Sequence, residues 1–196
     1  MLKTALKHLK TILTHKWYVG KYCFKYGLFW QGLVHDLSKF SPTEFLESIK
    51  YYTGTSSPID ACKKDKGYSM AWFHHRGRNP HHPEYWVDNF DKGMEPKIKI
   101  PWKYMLEMFC DFCGAGIAYG KTGKLDTKRE CLWWDTRRKT VVMHPESLRL
   151  MDTFMWDLYT DNKITCLKQK KRVYEKEFTS NHAVDWDVFI ERLKRL

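Results

Sequence analysis

Long apolar runs are the first thing this sequence lacks. Nowhere in its 196 residues do about 20 consecutive apolar residues occur, the length that a helix needs to cross a bilayer. The first ten residues are basic and amphipathic, without the apolar run and small-residue cleavage site of a secretory signal. We therefore expect a cytoplasmic protein with no membrane span.

A disulfide framework is also missing, because the cysteines are scattered along the sequence. Cys110 and Cys113 form a CxxC, but no second cysteine pair or Cys/His pair lies near them in the sequence. A structural zinc usually has four protein ligands, so we interpret this pair as packing residues of a helix, with a zinc site as the alternative. Reduced thiols fit a cytoplasmic address. The six cysteines are Cys23, Cys62, Cys110, Cys113, Cys131 and Cys166.

Also missing are internal repeats, low-complexity tracts, and the zinc-finger, RNA-binding and helix-turn-helix patterns of nucleic-acid-binding proteins. Acidic residues are outnumbered, with 23 Asp and Glu against 34 Lys and Arg, which gives a formal net charge of +11. A positive charge of this size favours anionic partners through long-range attraction. Nucleotide-like small molecules, nucleic acids and anionic membrane surfaces all meet that condition, and charge alone does not choose among them.

Helical periodicity is present over most of the first 120 residues. Apolar side chains recur at three- and four-residue steps from Leu2 to Trp17, which predicts an amphipathic first helix that continues to about Gly27 and carries His15. A second, shorter helix or turn is predicted over 28–36. Ser, Pro and Glu at the first, second and fourth positions of 41–44 predict a capped helix start.

Further elements follow the same signals. The capped helix is expected to run over 42–52, and the Gly-, Ser- and Pro-rich segment 53–67 is expected to be a loop. Helices are predicted over 68–75, for a short stretch from Pro83, and from Pro101 onwards.

The tail differs in character from the first 125 residues. Lys139-Thr140-Val141-Val142-Met143 is a possible short strand, and 185–196 is a predicted amphipathic helix. Trp133-Trp134-Asp135-Thr136-Arg137-Arg138 is expected to cover a cleft or to pack the tail on the core. The predicted fold is mainly α, a helical bundle over 1–125 with a C-terminal extension over 126–196 that holds a small β element.

His35-Asp36-Leu37-Ser38-Lys39 is the most informative stretch. An adjacent His and Asp offer an imidazole nitrogen and a carboxylate that can bridge two ions, and Lys39 can place a cation near a phosphate. Other candidate ligands surround the pair along the chain, and Asp111 lies among apolar residues, where an unpaired carboxylate would be costly. These candidates are His15, His74, His75, His81, His82 and Asp111.

A helical His, an HD pair, further histidines and a helical Asp, in this order, resemble the HD-domain superfamily of metal-dependent phosphohydrolases. HDLSK is similar to the HDxGK form of the HD-GYP branch, with Ser38 in place of Gly. The GYP motif itself is absent, so the resemblance does not imply specificity for cyclic dinucleotides.

The resemblance implies a ligand set. The first metal would be held by His15, His35, Asp36 and Asp111, and Asp36 would bridge to a second metal. For that second metal the candidates are His75 and His82, with His74 and His81 as alternates. Spacing does not settle the choice within either pair, because adjacent histidines on a helix point about 100° apart. One or two divalent ions are expected, with Mn, Fe, Co, Ni and Mg all open.

The resemblance also implies a reaction, the hydrolysis of a nucleotide or other phosphoester by a metal-activated water. Asp36 would bridge the ions, and the positive charges of Lys39, Arg76 and Arg78 would oppose negative charge on phosphate. Two alternatives stay open. One is a di-iron oxygenase with an equivalent ligand set, and the other is a non-catalytic nucleic-acid-binding or interaction protein with a structural metal.

A second resemblance covers more of the chain. HDLSKF with SPTEF, AWFHHRGRNPHHPEYW and EMFCDF are similar to the recurrent elements of an uncharacterised bacterial and phage family, DUF5662, over about residues 15–160. This resemblance implies a family without implying an activity.

Overall fold

A computed structural model describes residues 2–88, 98–120, 123–176 and 185–195 of the chain. The structure is 74% helical and, over the described residues, forms ten α-helices and no strand, so the mainly α prediction is confirmed. None of the described helices is both long enough and apolar enough to cross a membrane. The helices are α1 (Leu2–Lys25), α2 (Phe29–Val34), α3 (Pro42–Tyr51), α4 (Pro58–Lys66), α5 (Met70–Arg76), α6 (Trp102–Ala118), α7 (Thr127–Arg138), α8 (Pro145–Asp161), α9 (Leu167–Lys176) and α10 (Trp186–Arg195).

The packing of α1 against α6 forms the centre of the molecule. At Gly114 a Cβ atom would lie 2.3 Å from Cγ2 of Val19, so the two helices approach closely only because position 114 has no side chain. His15 lies one turn before Val19 and Asp111 one turn before Gly114. The close approach of the helices therefore brings these two polar side chains together.

Helix α3 begins as the sequence predicts. The Ser41 side chain accepts a hydrogen bond from the Glu44 amide at 3.3 Å, and Pro42 is the first helical residue. The loop prediction for 53–67 is wrong, because α4 lies within it. The residues that suggested a loop delimit a short helix instead, with Pro58 in its first turn and Gly67 at its end with φ +81°.

The C-terminal part is helical as well. The strand prediction for 139–143 is wrong, because 141–144 is an irregular connection between α7 and α8. Val141 and Val142 suit a strand, but the described part of the chain offers no neighbouring strand to pair with, and Met143 is buried in the core. Helices α7 and α9 were not predicted, whereas α10 matches the predicted closing helix up to Arg195.

A single cluster of buried side chains runs through α1, α6, α7, α8 and α10, from Val19 to Leu193. Cys110 and Cys113 lie in it fully buried, and burial raises the pKa of both thiols well above its usual value. They therefore act as packing residues, as predicted. The division of the chain at 125/126 stays a prediction.

Candidate metal centre

The HD pair lies in a sharp turn between α2 and a 3-10 turn over Leu37–Phe40. Asp36 has φ 54° and ψ 26°, a left-handed conformation that costs a non-glycine residue about 1 kcal/mol. On a continuous helix, His35 and Asp36 would point about 100° apart. Because α2 ends at Val34, before the pair, His35 and Asp36 are free of that constraint, and both side chains are almost fully buried.

A first ligand cluster consists of His15, His35, Asp36 and Asp111. His15 Nε2 lies 3.3 Å from His35 Nε2, 3.3 Å from Asp36 Oδ2 and 3.1 Å from Asp111 Oδ1. His35 Nε2 lies 3.3 Å from each of the same two carboxylate oxygens. The structure thus brings together all four residues predicted for the first metal.

These contacts are more than hydrogen bonds can satisfy. A neutral imidazole carries one N–H, yet His15 Nε2 faces another ring nitrogen and two carboxylate oxygens. Four donors bound at about 2.0–2.2 Å to one ion stand about 3.0–3.5 Å apart in tetrahedral or octahedral geometry. The observed separations fall within that range, so the cluster fits a divalent cation.

A second ligand cluster consists of Asp36, His75, His81 and His82. Asp36 turns its other oxygen, Oδ1, toward it, at 3.3 Å from His75 Nε2 and 3.5 Å from His81 Nε2. The Nε2 atoms of His75 and His82 are 2.9 Å apart. Asp36 Oδ1 and His81 Nε2 are buried without a hydrogen-bond partner, which is the state expected of atoms arranged for an ion.

The structure shows where each histidine of the two open pairs lies. His75 and His82 lie in the second cluster, and the alternate His81 joins them. His74 points elsewhere, with its Nδ1 2.7 Å from Glu44 Oε1. His81 and His82 can both contribute because they lie in the loop after α5, where successive side chains are free of the helical 100° step.

Two buried carboxylates that the sequence analysis missed orient the histidines. Glu107 Oε1 lies 3.0 Å from His35 Nδ1 and 3.3 Å from His81 Nδ1, so it touches one member of each cluster. Glu44 Oε2 lies 2.8 Å from His75 Nδ1. Carboxylates in these positions fix the tautomer and ring orientation of metal-binding histidines. In each case Nε2 is left facing the cluster.

Loop contacts tie the second cluster to the HD turn. The Asn79 side-chain amide donates to Ser38 Oγ and to the His75 carbonyl, each at 2.8 Å. Ser38 Oγ in turn lies 3.2 Å from His75 Nδ1. Ser38 therefore helps to hold the histidine loop against the turn.

The charge balance of the centre is negative. Burial alone would raise the pKa of each of its four carboxyl groups, but neighbouring histidines, together with Lys39 for Asp36, lower all four pKa values. The carboxylates thus stay ionised, and Lys39 is the lysine that contacts them, with its Nζ 2.6 Å from Asp36 Oδ2. A buried surplus of negative charge favours a bound cation. The four carboxylates are those of Asp36, Glu44, Glu107 and Asp111.

His35 of the first cluster and His82 of the second have opposite pKa shifts. For His35, burial lowers the pKa, but Asp36, Asp111 and Glu107 outweigh it and raise the value well above the usual one. For His82, burial together with His81 and His75 lowers the pKa well below the usual value. His82 is therefore neutral near pH 7, ready to bind a metal, whereas His35 carries a proton that a metal would have to displace.

A cleft of about 530 Å³ opens onto this centre, with His82 and Asp111 in its lining. Aromatic side chains of Trp72, Phe112 and Trp133 form part of its walls. The segment 133–138, expected either to cover a cleft or to pack the tail, does both, because Trp133 lines the cleft and Trp134 is buried.

The cationic side chains that line the cleft are Arg129 and Arg137. They are paired with Glu130 and Glu84, respectively. Neither arginine was predicted as a site residue, and Arg137 belongs to the segment 133–138, which was expected to cover a cleft or to pack the tail on the core.

The basic side chains predicted to act in catalysis lie elsewhere. Lys39 borders a separate cavity of about 50 Å³ beside His15 and Tyr119. The Arg76 guanidinium lies 5.2 Å from the centre of the Phe73 ring, and Arg78 donates to the His74 carbonyl at 3.3 Å. Contact of these three with a substrate stays a prediction.

Comparison with known proteins identifies the family but no activity. A family model described as a family of unknown function, DUF5662, matches residues 4–155. The chain belongs to this family. No curated protein and no solved structure matches the chain.

Proposed function

We propose that this protein is a metal-dependent phosphohydrolase of the HD type that acts on a nucleotide or another phosphoester. The observation that carries the proposal is the position of Asp36 between two ligand clusters, with Oδ2 facing the first and Oδ1 facing the second. A carboxylate shared in this way is how two adjacent divalent ions are held in hydrolytic sites.

Two divalent ions bound here would lower the pKa of a water to near neutrality and neutralise charge on a phosphoryl group. The side chains of this chain supply the rest. Glu107 and Glu44 fix the histidine rings, and Lys39 offsets the charge of Asp36. Hydrolysis forms one P–O bond to the water oxygen and breaks the ester P–O bond, and the leaving alcohol takes up a proton.

The cleft supports an aromatic phosphoester as the substrate. Its volume of about 530 Å³ is within the range of small-molecule sites. Trp72 and Trp133 offer faces on which a base can stack. Arg129 and Arg137 can turn from their carboxylate partners toward phosphate oxygens, for which guanidinium groups have matching geometry.

The test uses metal-free protein reloaded separately with Mn, Fe, Co, Ni or Mg and assayed for phosphate release from a panel of nucleotides and simple phosphoesters. We expect release that depends on the added ion and that His35→Ala abolishes. His74→Ala is the matched control, because His74 lies beside the cluster without facing it. No release with any ion and any member of the panel would contradict the proposal.

A di-iron oxygenase is the second candidate, and the observation that favours it is the three histidines of the second cluster. Imidazole-rich sites with a bridging carboxylate suit iron. Iron-loaded protein would then show an absorption or paramagnetic signature that changes on exposure to oxygen. Such a signature, together with oxygen uptake and no phosphate release, would favour this candidate over the hydrolase.

A further inference from the structure

Helix α1 has two apolar faces, and only one of them packs against the protein. The buried face includes Ile12 and Val19. The other face carries Leu6, Leu13 and Trp17, which are 58%, 51% and 63% exposed. These three and the exposed Phe24 are spaced by seven, four and seven residues, which places them along one side of a helix.

This apolar stripe continues onto α2. The rings of Phe24 and Phe29 are 5.8 Å apart, centre to centre. Phe29 and the next residue, Trp30, are 65% and 70% exposed. The Lys16 ammonium donates to the carbonyls of Leu33 and His35 at 2.6 and 2.9 Å, which fixes α2 beside α1. We call the exposed apolar side chains of α1 and α2 the N-terminal surface.

Positive charge surrounds the N-terminal surface. Residues 1–43 contain a single acidic residue, Asp36, and it is buried in the metal centre. The lysines of α1 are unopposed by any carboxylate on that helix, and Lys21 lies over the Trp17 ring at 4.9 Å. The exposed lysines of α1 are Lys3, Lys7, Lys10, Lys21 and Lys25.

We propose that the N-terminal surface binds an anionic lipid bilayer, with α1 and α2 lying in the plane of the membrane interface. Soluble proteins rarely leave large contiguous apolar patches exposed without a partner. A helix with Trp, Phe and Leu on one face, lysines beside them and no acidic residue has the composition of an interfacial helix. Each lysine close to an anionic surface adds to the attraction.

The charge and the apolar side chains of the N-terminal surface favour a bilayer over two other partners, a second copy of the chain and a nucleic acid. A second copy of the chain would bring the same lysines to the contact and no carboxylate from α1 to pair with them. A nucleic acid duplex would satisfy the lysines but would leave Trp17, Phe29 and Trp30 exposed. A single strand could stack on these rings but would leave Leu6 and Leu13 exposed. An anionic bilayer matches both the charge and the apolar side chains. This inference does not depend on the metal centre or on its reaction.

The experiment is co-sedimentation of the full chain with vesicles of phosphatidylcholine alone or mixed equally with phosphatidylglycerol. We expect binding to the mixed vesicles that weakens as salt is added, because salt screens the lysines. Trp17→Ser combined with Trp30→Ser should reduce that binding by about tenfold or more. The matched control is Tyr68→Ser, which changes an aromatic residue that is 58% exposed outside this surface.

A second pair of variants tests the charge. Lys10→Glu combined with Lys21→Glu should weaken binding to the mixed vesicles by about tenfold or more. Lys168→Glu combined with Lys171→Glu makes the same change in net charge on α9 and should have little effect. Circular dichroism of each variant establishes that it is folded before its binding is compared.

Three outcomes would overturn the proposal. The first is equal binding, or no binding, to the neutral and the mixed vesicles. The second is self-association in place of vesicle binding, lost in the Trp17→Ser, Trp30→Ser protein, which would assign the surface to a second copy. The third is binding to an RNA or DNA oligomer that depends on Lys10 and Lys21, with vesicle binding absent.

Discussion

The two ligand clusters share Asp36 but are built by different parts of the fold. The first draws His15 from α1 and Asp111 from α6, two helices locked together at Val19 and Gly114. The contacts of its histidine nitrogens with each other and with the two carboxylates are 3.1–3.3 Å. The second draws His75 from α5 and two histidines from the loop after it; its shortest contacts are 2.9–3.5 Å, and all four ligand atoms lie within 4.8 Å of one another.

This difference suggests that the two clusters would hold their ions with different rigidity. A cluster held by packed helices is set before any ion arrives, whereas a cluster held by a loop can adjust and leave positions open. His82 of the second cluster and Asp111 of the first both line the cleft, so a substrate there would lie beside both sites. We infer that the first ion would be the more tightly held and the second the more exchangeable.

The largest effect is expected from removing what the clusters share. Asp36→Asn should lose both ions and reduce metal-dependent activity by well over 100-fold, more than the roughly 10–100-fold cost of losing a residue that only orients a ligand. Asparagine tolerates the left-handed conformation of position 36, so the fold should be retained. Elemental analysis measures the effect, and Asp161→Asn, an exposed change on α8, is the control. Retention of two ions would contradict the bridging role.

A change confined to the second cluster should separate the two ions. His81→Ala is expected to lose one ion and keep the other, because His81 is not among the ligands of the first cluster. The neighbouring His74→Ala should keep both. Metal content per chain, measured after dialysis against a weak chelator, distinguishes the two variants. Loss of two ions from the His74 variant would show that the assignment of these histidines is wrong.

The orienting carboxylates allow a finer comparison. Glu107→Gln should weaken the binding of both ions by about 10–100-fold, because Glu107 contacts His35 and His81. Glu44→Gln should weaken the binding of the second ion only, because Glu44 contacts His75. Competition with a chromophoric chelator gives both affinities. Equal losses at both sites in the Glu44 variant would contradict this division.

The smallest effect concerns protons. Because the pKa of His35 is raised in the metal-free protein, its proton must leave when the first ion binds, so affinity should rise with pH up to that pKa, by about tenfold per unit for one proton. His82, with its lowered pKa, has no proton to release near pH 7. Calorimetry of the His81→Ala protein at pH 7, in two buffers of different ionisation enthalpy, isolates the first site. If the heats in the two buffers are the same, no proton is released when the ion binds. That result would count against a protonated His35 in the metal-free protein.

The sequence predicted those helices whose position depends on neighbouring residues alone. The period of the apolar residues predicted α1, and the Ser41 cap predicted the start of α3. The same reasoning failed at α4, because Pro58 and Gly67 mark both loops and the ends of short helices. It failed at 139–143 because a strand depends on a partner strand elsewhere in the chain, which periodicity does not reveal.

The site was predictable in its composition and less so in its geometry. The order of His15, His35, Asp36 and Asp111 along the chain sufficed for the first cluster. The choice between His74 and His75, and between His81 and His82, depended on where α5 ends and its loop turns. Glu107 offered a signal that was missed, since it lies four residues before Asp111 on the same face of α6.

The most direct test of the bridging role of Asp36 is an anomalous-scattering map from crystals of the manganese-loaded protein. If Asp36 bridges two ions, the map will show two peaks, one on each side of Asp36 and about 3.5–4 Å apart, as in other two-metal sites. The first would lie among His15, His35 and Asp111, and the second among the three histidines of the other cluster. A single peak, or peaks that leave Asp36 unbound, would contradict the claim that one carboxylate joins two metal sites.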